Sequence, residues 1–239
     1  MTWRWVICSS WIFSSCIASS LSAATVSGQV EITNSVDRTV QKRKDYSGAV
    51  FWLEPASGAA LPAIAPKSVK VVQMDKHFLP HVVAIPVGGT VDLPNADPFW
   101  HNAFSNFSGE PFDIGLYAPG TSRSHTFRHA GIVRVFCNIH ATMSAIIAVV
   151  PTPYYVVTPE AGKFDIANVP PGEYELRIFY ERALPANLKF LERRITVPEA
   201  GLALPLISIS ETGYAPGAHL DKHGNPYAPA TGLYGGNLE

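Results

Sequence analysis

The stretch Val135-Phe136-Cys137-Asn138-Ile139-His140-Ala141-Thr142-Met143 constrains this chain more than any other. A mostly apolar run, residues 132–136, reads as a strand, and directly after it a thiol, an imidazole and a thioether follow at short spacing. Soft sulfur ligands with imidazole favour copper, and two histidines, one cysteine and a weak axial methionine make the trigonal electron-transfer copper site. The stretch supplies three of those four donors. The missing imidazole should come from another strand, and His101, within residues 98–102 after the turn-rich residues 94–97, is the obvious source.

The rest of the chain supplies the framework for such a site. Twenty prolines and eighteen glycines separate many short β-branched or aromatic runs, the pattern of an all-β protein with many turns. A length of 239 residues suits one or two domains. Charged residues are 15% and the net charge is −1, a balance that offers nothing to nucleic acid or to an anionic surface.

The N-terminus has the form of an export signal: Arg4, an apolar run over 5–21 diluted by serines, then the small residues Ser22, Ala23 and Ala24. Cleavage near Ala24 would leave a periplasmic or secreted protein with no membrane span. The alternative is a retained anchor, for which the run is short and serine-rich; Cys16 matches a lipoprotein site poorly. Cys8 and Cys16 would leave with the signal, making Cys137 the only thiol of the mature chain. A leftover cysteine in an exported protein is buried, reactive, paired with another chain or bound to metal. A free cysteine on a strand is also often a small buried hydrophobe, and it is His140 and Met143 at fixed spacing that favour the metal.

Along the chain, strands are expected over 28–32 and 48–55, separated by a solvated basic loop through Arg38, Lys42, Arg43 and Lys44 and followed by a linker over 56–66. Further short strands over 69–74, 82–85, 90–93 and 122–127 have the spacing of a β-sandwich, and two more are expected late in the chain, over 193–197 and 202–209.

Residues 66–150 resemble a cupredoxin, the blue-copper Greek-key sandwich. The matching features are Phe78-x-Pro80, Val87-Gly88-Gly89-Thr90-Val91, Asn95-x-Asp97, His101-Asn102, Pro119-Gly120, Gly131 and Cys137-x-x-His140-x-x-Met143. The last spacing is similar to that of the amicyanin subfamily. The resemblance implies one type 1 copper per chain, with His101, Cys137 and His140 equatorial and Met143 axial. It also implies that Asn102 ties the two ligand loops together. The function implied is one-electron transfer between periplasmic redox partners, with a c-type cytochrome or a dehydrogenase as partner. The alternative is a copper-binding or structural protein of the same fold with no redox role. Related loops often carry prolines around the second histidine, whereas this one has Asn138, Ile139, Ala141 and Thr142, which points to a less rigid loop. An enzyme is not expected: multicopper oxidases and copper nitrite reductases need further histidine clusters, and no His-x-His occurs.

The remaining features have plainer readings. His77, His81, His125 and His129 are expected at the surface or in turns, and Phe99, Trp100, Phe104, Phe107 and Phe112 in core and loop packing, or else as an apolar collar for a partner. Residues 159–177 resemble a carboxypeptidase-regulatory-like, or transthyretin-like, sandwich in the phrase Gly162-Lys163-Phe164 followed by Pro170-Pro171-Gly172-Glu173-Tyr174. That module, over 151–210, lacks opening strands unless those at 28–32 and 48–55 belong to it. The copper domain is then inserted into a split sandwich, with residues 25–65 as its first part. A tandem arrangement, in which the N-terminal strands extend the cupredoxin, is the simpler alternative. Residues 211–239, rich in glycine and proline, are expected to form a loose tail.

Overall fold

The computed structural model describes residues 23–227 except 57, 59, 60, 63 and 218. The export signal expected over 1–24 lies outside these residues except at its last two positions, as does the tail beyond 227.

The protein is all-β. Strand β1 (Ala24–Thr33) leads through a π-helical turn (Thr39–Arg43) to β2 (Val50–Pro55). The middle of the chain supplies β3 (Ser68–Lys70), β4 (Val72–Met74), β5 (His77–Leu79), β6 (Val82–Pro86), β7 (Thr90–Pro94), β8 (Phe104–Ser105), β9 (Phe112–Asp113), β10 (Ser122–Thr126), β11 (Gly131–Phe136) and β12 (Ser144–Val150). The last part adds β13 (Tyr155–Val157), β14 (Lys163–Val169), β15 (Gly172–Phe179), the short helix α1 (Pro185–Lys189), β16 (Arg193–Val197), β17 (Leu202–Ala203) and β18 (Ile207–Ser210).

Among the described residues there are five sheets; one is the β4–β5 hairpin, and the other four stack into layers. β1 lies between β14 and β17, with β18 continuing its parallel edge, and the order β13-β2-β15-β16 makes the facing sheet. Next comes β6-β12-β11-β8-β9, then β10-β7-β3. Both N-terminal strands therefore pair with strands from beyond residue 150, and residues 68–150 form their own sandwich between them in sequence. We refer to these as the outer and inner sandwiches.

Side-chain alternation explains the layers. Successive residues of a strand point to opposite faces, so Phe51 and Leu53 of β2 enter the outer core while Val50 and Trp52 face β6 and β12 of the inner sandwich. β12 is covered on both faces and is buried from Ala145 to Val150. A strand with no solvent face reads as a continuous apolar run, which is what Ala145-Ile146-Ile147-Ala148-Val149-Val150 is.

Three expectations change. The run 69–74 is two strands, because residues 68–70 pair with β7 and residues 72–74 turn to pair with β5. The run 202–209 breaks around Pro205, which has no N–H to donate to the ladder. The basic connection keeps Arg38, Lys42, Arg43 and Lys44 exposed, as expected, but residues 39–43 form a π-helical turn anchored by buried Val40 where a loop was expected.

Candidate metal centre

His101 is delivered by a tightly bonded loop. The Asn95 side chain donates to the Phe99 carbonyl at 2.8 Å and accepts the Asp97 amide at 3.0 Å, an Asx-type turn that replaces regular backbone pairing. His101 then pairs through its backbone with Tyr117. The turn aims the Asp97 carboxylate back at the imidazole, where Oδ2 lies 2.7 Å from His101 Nε2. The same carboxylate accepts the amides of Asp75 at 2.7 Å and Lys76 at 3.0 Å. Those two residues have φ of 54° and 58°, the left-handed pair of the β4–β5 hairpin turn, so Asp97 secures a turn otherwise costly for non-glycine residues.

Cys137 and His140 lie in the connection between β11 and β12. Its backbone closes on itself: the Cys137 amide donates to the Met143 carbonyl at 3.1 Å, and the Met143 amide to the His140 carbonyl at 3.0 Å. Asn102 joins this loop to the other, its Oδ1 accepting the Asn138 amide at 2.6 Å. Met143 is fully buried in the same apolar cluster as Cys137.

The three nitrogen and sulfur donors converge. Cys137 Sγ is 3.7 Å from His101 Nδ1 and 3.6 Å from His140 Nδ1, and the donor atoms of all three residues lie within 4.8 Å of one another. A first-row metal bound at about 2.0 Å to nitrogen and about 2.3 Å to sulfur holds such donors roughly 3.5–3.7 Å apart at angles between tetrahedral and trigonal. The residues therefore fit a metal ion.

Electrostatics prepare the donors. With Nε2 donating to Asp97, His101 presents the Nδ1 lone pair to the site; the tautomer follows from the hydrogen-bond network. Burial pushes the His140 pKa down to about 4, with the nearby positive charge of Lys76 adding to the effect and the Asp97 carboxylate opposing it, so its imidazole is neutral at pH 7. Burial raises the Cys137 thiol, against the pull of the Asn102, Ile139 and His140 amides, so loss of its proton depends on a bound cation. At Asp97 burial works toward a higher pKa, yet the bonds from His101, Lys76 and Asp75 outweigh it and the pKa is lowered.

His101 and Cys137 are buried, whereas His140 is half-buried. Phe99 covers both imidazoles, its ring centroid 5.2 Å from His101 and 5.5 Å from His140, and Trp100 beside it is 54% exposed. Phe104 is buried in the inner sandwich, and Phe107 and Phe112 pack against its core. His129 is exposed, as expected, and His125 is half-buried; both approach Glu110, at 3.0 and 3.4 Å. His81 is exposed, as expected, and its ring also bridges the Ser144 carbonyl and Glu181 of the outer sandwich.

Two contributors were not assigned a role from sequence. Asp97 stood in the Asn95-x-Asp97 pattern, and its spacing of four residues from His101 within a turn was the available signal. The other is the tail, expected to be loose, whose residues 219–227 lie against the ligand loop; Tyr227 Oη donates to the Cys137 carbonyl at 2.8 Å.

No family model and no curated protein matches the chain. Among solved structures, a copper-containing nitrite reductase from Thermus scotoductus SA-01 is 32% identical over 41% of this chain, with a TM-score of 0.34. This chain covers only 25% of that protein's length. A purple cupredoxin from Nitrosopumilus maritimus is 22% identical over 35% of this chain and 99% of its own, with a TM-score of 0.31. A reduced Cu(I) form of an amicyanin mutant is 19% identical over 41% of this chain and 91% of its own, with a TM-score of 0.33.

Proposed function

We propose that this protein is an exported type 1 copper protein that carries single electrons between redox partners. The observation that supports it is the convergence of two imidazole Nδ1 atoms on the buried Cys137 sulfur at 3.7 and 3.6 Å, separations that a shared metal ion would set. Copper bound there supplies a one-electron couple, and its thiolate bond gives intense visible absorption. His101, Cys137 and His140 would hold the ion, and Met143, buried in the same cluster as Cys137, would supply a further, weaker sulfur donor. Asp97 fixes the His101 tautomer, and Cys137 releases its proton when the ion binds. His140, the donor nearest solvent, is the electron port, and Phe99 and Trp100 form the collar on which a redox protein such as a c-type cytochrome or a dehydrogenase docks.

In this reading the inner sandwich is the cupredoxin domain, and the outer one is a carboxypeptidase-regulatory-like module split by it. The pairing of β1 and β2 with β13 to β18 supports the split arrangement. Among the described residues, no helix is long and apolar enough to cross a membrane; periplasmic placement rests on the expected signal.

The test is a titration with cupric ion followed by absorption and electron paramagnetic resonance, repeated on Cys137→Ser and Met143→Ala. A blue colour saturating at one copper per chain, lost in Cys137→Ser and shifted in Met143→Ala, is expected. Binding without a charge-transfer band, in the manner of zinc on the same ligands, would exclude the carrier and leave a metal-binding or structural protein.

A further inference from the structure

We propose that residues 219–227 form a strap that positions the Cys137–His140 ligand loop, with Lys222 and Tyr227 as positioning residues. This inference rests on the copper-site reading above and adds to it the part that makes the loop rigid.

The strap grips three consecutive residues. His219 stacks on Phe136, ring centroids 4.1 Å apart, and meets Tyr227 edge-on at 5.1 Å. Tyr227 Oη donates to the carbonyl of Cys137 at 2.8 Å. The Lys222 amide donates to Asn138 Oδ1 at 2.9 Å. A closed ring of hydrogen bonds results. The Asn138 amide donates to Asn102 Oδ1 at 2.6 Å, and Asn102 Nδ2 donates to Asp113 Oδ1 at 3.0 Å. Lys222 Nζ donates to Asp113 Oδ2 at 2.7 Å and returns the ring to the strap.

The strap has its own local order. Asp221 Oδ1 accepts the amides of His223 and Asn225 at 2.9 and 2.8 Å, while the Asp221 amide donates to the Asn225 carbonyl at 2.8 Å. The glycine, asparagine and aspartate of this segment thus make a closed turn that presents Lys222.

These contacts bear on the chemistry because the ligand loop contains no proline. Rotamers and backbone of a functional site are held by the residues packed and bonded around them. Here the Asn138 amide and side-chain carbonyl are both engaged, one to the first ligand loop and the other to the strap. A redox site whose ligands stay in place loses little energy to rearrangement on electron transfer, so the strap supplies what prolines would otherwise provide.

Hydrogen exchange in the intact metal-free protein tests the strap without copper, on Tyr227→Phe, Lys222→Met and Lys222→Arg. The first two variants are expected to speed exchange of amides 138–142 about two- to tenfold, the range for losing one hydrogen bond of ordinary net worth. Lys222→Arg restores protection. In the copper-loaded protein, the same two variants shift the charge-transfer band and the midpoint potential. Parent-like local exchange with an unchanged band and potential would overturn the strap. So would acceleration spread evenly over every strand, the signature of global destabilisation. Faster exchange at 138–142 in variants of a parent that forms no blue complex would retain the strap and sink the copper reading.

Discussion

The two sandwiches place polar groups differently. The outer core is built from apolar and aromatic side chains in direct contact, Phe51 stacked on Phe164 at 4.3 Å with Leu53, Ile166, Leu176 and Ile178 around them. Among the described residues, the outer sandwich buries three polar residues, Thr152, Thr158 and Glu211, the last bonded to Tyr180 and Arg182, whereas the inner one buries seven, Gln73, Asn95, Asp97, His101, Asn102, Ser105 and Glu110. Buried polar groups stabilise only when their partners are complete, and they then favour one arrangement over others. The outer sandwich is built for cohesion and the inner one for the placement of a few atoms. Substitutions in the first should therefore change stability, and in the second ligand geometry.

The largest effect is expected from Phe164→Ala. The Phe164 ring covers Gly28 so closely that a Cβ added there would clash with it, so the packing requires glycine at residue 28. Removing the ring opens a cavity between β1, β14 and β2, and such truncations cost about 3–5 kcal/mol. Denaturant unfolding should show that loss, while cupric binding by the folded fraction keeps the parent affinity. Equal loss of copper affinity would mean that the sandwiches do not divide their work in this way.

Asp97→Asn probes the other side. The substitution removes the charge that orients His101 and secures the Asp75–Lys76 turn, with almost no change in volume. Loss of such a partner typically costs 10- to 100-fold in metal affinity, so a comparable weakening of cupric binding is expected, with a smaller effect on unfolding than Phe164→Ala. The midpoint potential should rise, because the carboxylate favours the more highly charged cupric form. Parent-like affinity and potential would reduce Asp97 to a turn-securing residue.

The same contrast explains what was legible in the sequence. Strand positions could be read because alternation and turn residues are local properties. His101, Cys137 and His140 could be singled out because their side chains are chemically distinctive and two of them share a loop. Asp97 carries an equally distinctive side chain, but its role comes from a turn geometry that spacing does not specify. The strap was hidden for a different reason. Two of its contacts use backbone groups, the Lys222 amide and the Cys137 carbonyl, which are the same in any sequence. The split of residues 69–74 between two sheets was also hidden, since the apolar pattern is the same whichever neighbour a strand chooses.

The smallest effect lies where the two sandwiches meet. His81 Nε2 is 2.6 Å from Glu181, which also accepts from Arg134 at 3.0 Å. The hydrogen bond to Glu181 raises the His81 pKa above 6.5, although burial and the charge of Arg182 oppose it. At Glu181 burial acts in the opposite direction, but the bond and charge of His81 prevail and the pKa falls below 4.5. The signs then define a window. The histidine contribution is fully present below pH 6.5 and is lost as pH rises through the raised folded value; the glutamate contribution is present above pH 4.5 and is lost as pH falls through the lowered one. The contact should thus stabilise the interface most between pH 4.5 and 6.5. Its worth is at most about 1 kcal/mol, because nearly half of the imidazole faces solvent and the pair is screened. Comparing unfolding of the parent and His81→Gln across pH should show a difference that peaks in this window and fades at alkaline pH. An imidazole that titrates at or below 6.5 by NMR would show that the contact does not bind the two sandwiches in solution.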